Sequence, residues 1–261
     1  MVTPHEVVEL YPRAAVLTAW FNAWSADAVD GLGDCPAARA DDPVHTGEVT
    51  LPGWEPHRLP LGLALATVLG TPATCALPVP GDAAGLPPAA VRALAAGQAM
   101  VLTGAEAAFA LVPTSAGTER TVWHATSIPV RAPAEPPGPS DIRSRRLLIM
   151  ELMSDAMAIA QRAAPTTRPD GADAELRRTL HHLSHVPMPP GSAGAAVELA
   201  RSSASLLAIV STAVATLPAT EESHEIRDAL RPLGRAARES LAIAFSAAGG
   251  GVPDRRREAR P

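Results

Sequence analysis

The chain contains no lysine. Its 22 basic side chains are all arginine, so no amine is available for a Schiff-base cofactor, a phosphate-loop lysine or a kinase-type lysine, and those enzyme classes are excluded. Asparagine occurs once, at Asn22, and aromatic residues make up only 3% of the 261 positions. The core must therefore be assembled from Ala, Leu, Val and Ile, with Trp20, Phe21, Trp24, Trp54, Trp123 and Phe245 as scarce bulky anchors. Thiols are confined to Cys35 and Cys75, which implies no disulfide framework and makes the cytoplasm the default compartment. Acidic Glu6 and Glu9 stand where a basic leader would, and no run approaches about 18–20 uninterrupted apolar residues, so neither an export signal nor a membrane span is expected.

What is present is a composition that folds: 47% hydrophobic, 19% charged, net charge −5. The Arg-only, Ala-rich style reads as the codon bias of a high-GC bacterial genome. Acidic residues outnumber basic ones 13 to 6 over positions 1–140, and basic outnumber acidic 16 to 14 over 141–261. The halves are mildly complementary. Neither has the basic stripe with interleaved aromatics of a nucleic-acid reader, so nucleic acid is not the expected partner.

Proline divides the chain. Residues 131–140 carry four prolines in ten positions, which removes the donors a helix or central strand requires. Strand patterns occur only before this stretch. The spacing predicts a capped helix opening at Thr3-Pro4-His5-Glu6 and a second after Pro12, with Val16, Leu17, Trp20, Phe21 and Trp24 on one buried stripe. Strands are expected at 74–79, 99–103, 108–113 and 120–130, with a weaker edge strand at 44–51 and helices at 61–69 and 88–96. Short links between the later strands imply an antiparallel meander. Beyond the prolines, helices are expected at about 141–163, 172–186, 193–217 and 221–247, with Asp170, Ser192 and Thr220 as N-caps, Pro232 kinking the last helix and a loose tail from Val252. The expected fold class is α+β: an N-terminal domain, 1–133, with a mostly antiparallel sheet of about 4–5 strands packed by helices, then an all-α four-helix domain, 141–250.

Candidate chemistry is sparse. His181 and His185, four apart, would share a helical face and offer two imidazoles to a metal ion, although His182 stands where a metalloprotease helix carries glutamate. The competing reading is a polar helix end complementing the helix dipole. Asp82 follows a buried strand in a Pro-Gly turn, where ligand loops occur but ordinary turns also do. His124 lies mid-strand beside Trp123. Arg143, Arg145 and Arg146 crowd the start of a helix whose own dipole opposes them, which invites an anionic or protein partner unless acids nearby neutralise them. Met150, Met153 and Met157 fall at helical spacing and read as core packing.

Three functions follow. The first is a non-catalytic binding or regulatory module acting through protein–protein association, as a homodimer or with another protein. It rests on the broad apolar faces Leu206, Leu207, Ile209, Val210 and Val214, and Ile226, Leu230, Leu233 and Leu241. The second is a metal-dependent hydrolase using His181 and His185. The third is a small-molecule sensor with a pocket near Asp82 and His124. No cofactor is specified by any motif.

Overall fold

The computed structural model describes residues 10–37, 46–48, 58–104, 107–115, 121–129, 137–162, 172–218 and 220–248. The capping sequence at Thr3–Glu6, Trp54, Asp170, most of the proline-rich stretch and the tail from Val252 lie outside them. The fold is α+β. Among the described residues the helices are α1 (Arg13–Ser25), α2 (Leu61–Ala66), α3 (Val91–Ala96), α4 (Pro139–Arg162), α5 (Ala172–Leu183), α6 (Gly194–Thr216) and α7 (Glu221–Ala247). The strands are β1 (Thr46–Glu48), β2 (Arg58–Pro60), β3 (Ala73–Ala76), β4 (Ala99–Thr103), β5 (Ala108–Ser115) and β6 (Thr121–Ile128).

Strands β3 to β6 form an antiparallel four-stranded sheet in chain order, and the short β1 and β2 extend it beyond β6 in the order β2-β1-β6-β5-β4-β3. The weak strand expected at the edge is instead second from it. β1 lies parallel to β6 through the Glu48–His124 register and antiparallel to β2, which takes the edge position. Three-residue Arg58–Pro60 carries too little alternation to be recognised, and its last position is a proline, a residue that edge strands accommodate.

Helix α1 is buried on all sides rather than along one stripe: Ala14 through Phe21 are all buried. A helix apolar all round belongs in the interior. Its surroundings account for this. On one side α1 meets β3 and β4, and on another it meets α7. One continuous core runs from Tyr11, Leu17 and Phe21 through Met100, Leu111 and Trp123 to Leu199, Leu241 and Phe245. The opposite sheet face packs Ala99, Ala110, Val112 and Ile128 against Leu86, Ala90 and Ala93 around α3.

The only asparagine has a specific position in this arrangement. β3 is the sheet's outer strand, so its free backbone groups need partners. Asn22 Nδ2 donates to the carbonyls of Ala73 and Ser246, both at 3.0 Å, and its Oδ1 accepts from the Ala73 amide at 3.3 Å. The buried Ser246 hydroxyl accepts from the Cys75 amide at 2.9 Å and donates to the Ala242 carbonyl at 2.7 Å. Helices α1 and α7 thereby cover the strand edge with side chains. Asn22→Ala leaves several of these groups unpaired and is expected to lower the unfolding free energy by about 2–3 kcal/mol, read as a shifted urea midpoint with unchanged slope.

In the C-terminal half α7 is the hub, touching α4, α6, α1 and β3. Its N-cap is Thr220, whose hydroxyl accepts from the Ser223 amide at 3.3 Å, and the helix continues through Pro232 to Ala247. The α6 N-cap is Ala193, not Ser192; the Ser192 hydroxyl turns back to the Pro189 carbonyl. Among the described residues α6 is the one helix long and apolar enough to cross a membrane. Its Leu199, Ala200, Leu206 and Val210 are buried.

Two apolar assignments reverse. Leu206, Val210, Leu233 and Leu241 are consumed by the core, whereas Ile209 and Val214 remain exposed. Of the α4 methionines expected in the core, Met150 is 66% exposed and Met153 40%, with Leu147 at 61% beside them and Ile149 buried, and the Met157 side chain lies outside the described residues. Methionine at helical spacing marks an apolar face, but only neighbours decide whether that face is covered.

Candidate functional site

A cleft of about 280 Å³ lies where the sheet edge meets the helical half. One wall is Cys75, Ala76 and Leu77, running out of β3 into the loop that carries Asp82, Ala84 and Gly85. The other wall is α7, which presents Arg235, Arg238, Glu239, Ala242 and Ile243 at three- and four-residue spacing, and α4 contributes Arg145.

The loop is shaped by local chemistry. Val79 and Asp82 exchange both backbone hydrogen bonds at 2.9 Å, and Gly81 takes φ 83° to close the turn. Ala84 has φ 48°, a left-handed conformation that costs a residue with a Cβ about 1–2 kcal/mol. The Asp82 Oδ1 accepts the Ala84 amide at 3.1 Å and holds that conformation. The other carboxylate oxygen of Asp82 points to α7.

There it meets a chain of alternating charges. Asp82 Oδ2 pairs with Arg235 Nε at 3.1 Å, Arg235 Nε also reaches Glu239 Oε1 at 3.1 Å, and Glu239 Oε2 pairs with Arg145 at 2.5 Å. Three guanidinium groups face two carboxylates, a surplus of one positive charge. Arg238 lines the same cleft, half-buried, with no hydrogen bond or ion pair among the described residues. Burial pulls its pKa below the ordinary arginine value; Asp82 acts against that, Arg235 adds to it and Glu239 opposes it. Arginine remains charged through such shifts. Cys75 is different. Burial pushes its pKa up, so at neutral pH it is a thiol and lacks the thiolate that nucleophilic chemistry requires.

The residues singled out in the sequence are divided among several places. Asp82 and Arg145 are brought together in the cleft, whereas Arg143 and Arg146, on the same helix, are exposed. His124 is on β6, aligned with Val112 of β5, with β5 and β4 standing between it and the β3 edge, and is not a cleft residue. His181 is in the last turn of α5 and His185 lies two residues beyond its end at Leu183, with the Ser184 and His185 amides donating to the His181 and His182 carbonyls at 3.2 and 3.3 Å. The His181 and His185 ring centroids are 6.4 Å apart, the Ser184 hydroxyl donates to the His181 carbonyl at 2.6 Å, and it lies 3.1 Å from His185 Nδ1. Among the described residues no group of three His, Cys, Asp or Glu side chains could hold a metal.

No local signal singles out Arg235, Arg238 and Glu239. Their spacing marks the polar face of an amphipathic helix, but nothing in the order of residues tells that face to meet Asp82. Residues 14–138 match the family model described as "Rv1486c-like protein, N-terminal domain". No curated protein matches the chain, and no solved structure does. The matched segment spans α1 and the whole sheet, including the Cys75–Gly85 wall of the cleft, and stops one residue before α4. The arginines facing that wall lie outside it.

Proposed function

We propose that this chain is a non-catalytic binding module that acts by protein–protein association, its partner a second copy of itself docked on the outer face of α4. The carrying observation is the exposure of Leu147, Met150 and Met153 at three-residue spacing on one helix. Exposed Arg143 and Arg146 precede them and make the face cationic as well as apolar. A second copy offers surface of the matching character. Leu69 is 41% exposed, and its neighbour Gly70 donates its amide to Ser25 Oγ at 3.5 Å, which sets Leu69 beside the end of α1, from which the chain runs on to the exposed Asp30. Apolar centre and opposite charge are the features that separate a docking face from scattered surface hydrophobes.

Burial holds Cys75 as a thiol, so the cleft's own sulfur offers no nucleophile. Light scattering at micromolar concentration and low salt is expected to give a dimer. Met150→Glu should weaken it by about thirtyfold, equivalent to about 2 kcal/mol for an apolar side chain taken from contact. Arg146→Asp should weaken it less, and Asp30→Arg in the same chain should restore part of that loss. A monodisperse monomer of the unaltered chain would overturn the reading.

A further inference from the structure

We infer that the cleft between the Asp82 loop and α7 binds a small phosphate-bearing metabolite, with Arg238 as its principal contact. This goes beyond association through α4 and stands on different residues. The charge arrangement is the first reason. Arg145 and Arg235 are already paired with Glu239 and Asp82, whereas Arg238, half-buried, lines the same space with no hydrogen bond or ion pair among the described residues, Asp82 and Glu239 acting on it only at longer range. A planar guanidinium in a partly dried cleft matches a phosphate through two parallel hydrogen bonds. A dianion there also offers oxygens to Arg145 and Arg235, which can turn from one acceptor to another.

Size and lining select the rest of the ligand. At about 280 Å³ the cleft sits at the lower bound of small-molecule sites, a size that suits a phosphate with a stem of a few carbons. Leu77, Ala242 and Ile243 supply an apolar wall for such a stem. Gly85, at φ 78°, keeps the loop side free of a Cβ, and space stands open where one would project.

Isothermal titration of the full chain tests this with two probes, inorganic phosphate and glycerol 3-phosphate, at constant ionic strength. Both should bind, glycerol 3-phosphate about tenfold more tightly, because only it places carbon on the apolar wall. Arg238→Gln should weaken glycerol 3-phosphate by about tenfold or more, while its unliganded thermal midpoint matches the parent. Asp82→Asn provides the opposite sign: asparagine still accepts the Ala84 amide, but one opposing charge is removed, so affinity should rise several-fold. Met150→Glu should bind the probes as the parent does, which separates failure here from failure of the association reading. No heat with either probe at millimolar concentration, unchanged affinity in Arg238→Gln, or a loss in Asp82→Asn would each overturn the inference.

Discussion

Phe245→Ala is expected to lower the unfolding free energy by about 3–5 kcal/mol and to weaken the sheet and the helices together. Phe245 is fully buried near the end of α7, with its ring centroid 5.8 Å from that of Tyr11 and the planes tilted by 60°. It sits in the continuous core that also contains Trp123 of β6 and Leu199 of α6. In a chain so poor in aromatics, small aliphatic neighbours cannot collapse far into the space a deleted ring leaves. All four tryptophans precede residue 124, so their fluorescence reports on the N-terminal half while far-ultraviolet circular dichroism is dominated by the helices. In the variant, both signals should move to the same lower urea midpoint. Independent domains at 1–133 and 141–250 would instead leave the fluorescence midpoint near that of the parent and shift the helical signal alone.

Alkaline pH should destabilise the fold through two buried acids. Cys75 and Tyr11 both have pKa values raised by burial, with Arg201 pulling slightly the other way on Tyr11. Each is held neutral in the native state, so the unfolded chain releases its proton first. The sign follows: stability is fully present below the unfolded pKa and falls as pH climbs above it towards the folded value. For the thiol the loss begins near about pH 8.5, and for the phenol near about pH 10. The slope is about 1.4 kcal/mol per pH unit while one group titrates and about twice that when both do. Urea unfolding at successive pH values should show the decline. Cys75→Ala should flatten the limb that starts near about pH 8.5, and Tyr11→Phe the added steepness above about pH 10. Because the Tyr11 hydroxyl donates to the Leu183 carbonyl at 2.7 Å, Tyr11→Phe should also cost about 1 kcal/mol at neutral pH. An unchanged slope in either variant would assign the alkaline limb elsewhere.

Elements that announce themselves locally were legible. The α7 span, 221–247, and its Thr220 cap can be read from hydroxyl, acidic first turn and apolar period, all of which act within a few residues. The β4–β5–β6 meander is legible for the same reason, since Gly-containing links are too short for anything but neighbouring antiparallel strands. β2 was not, because three residues ending in proline carry no period. The end of α5, expected at 186, falls three residues earlier at Leu183, which leaves His185 off the helix, and there Arg201 Nε from α6 reaches the Ser184 carbonyl at 3.2 Å.

The candidate site divides along the same line. Asp82 could be singled out because a Pro-Gly turn after a buried strand is a local signal, and Arg145 because three arginines in one helical turn oppose its dipole. That these two share a cleft with Arg235, Arg238 and Glu239, while Arg143 and Arg146 do not, depends on the way α7 lies against β3 and α4.

The residue order alone determined the α+β class, the four C-terminal helices and the exclusion of lysine chemistry, since each follows from side chains within one turn or one strand of each other, or from composition. Tertiary structure decided which apolar stripe is buried, that α1 is enclosed on every side and that an unpaired arginine faces an acidic loop about 150 residues away in sequence. Burial and charge balance belong to surfaces brought together from distant parts of the chain, and local pattern holds no record of which surfaces those will be.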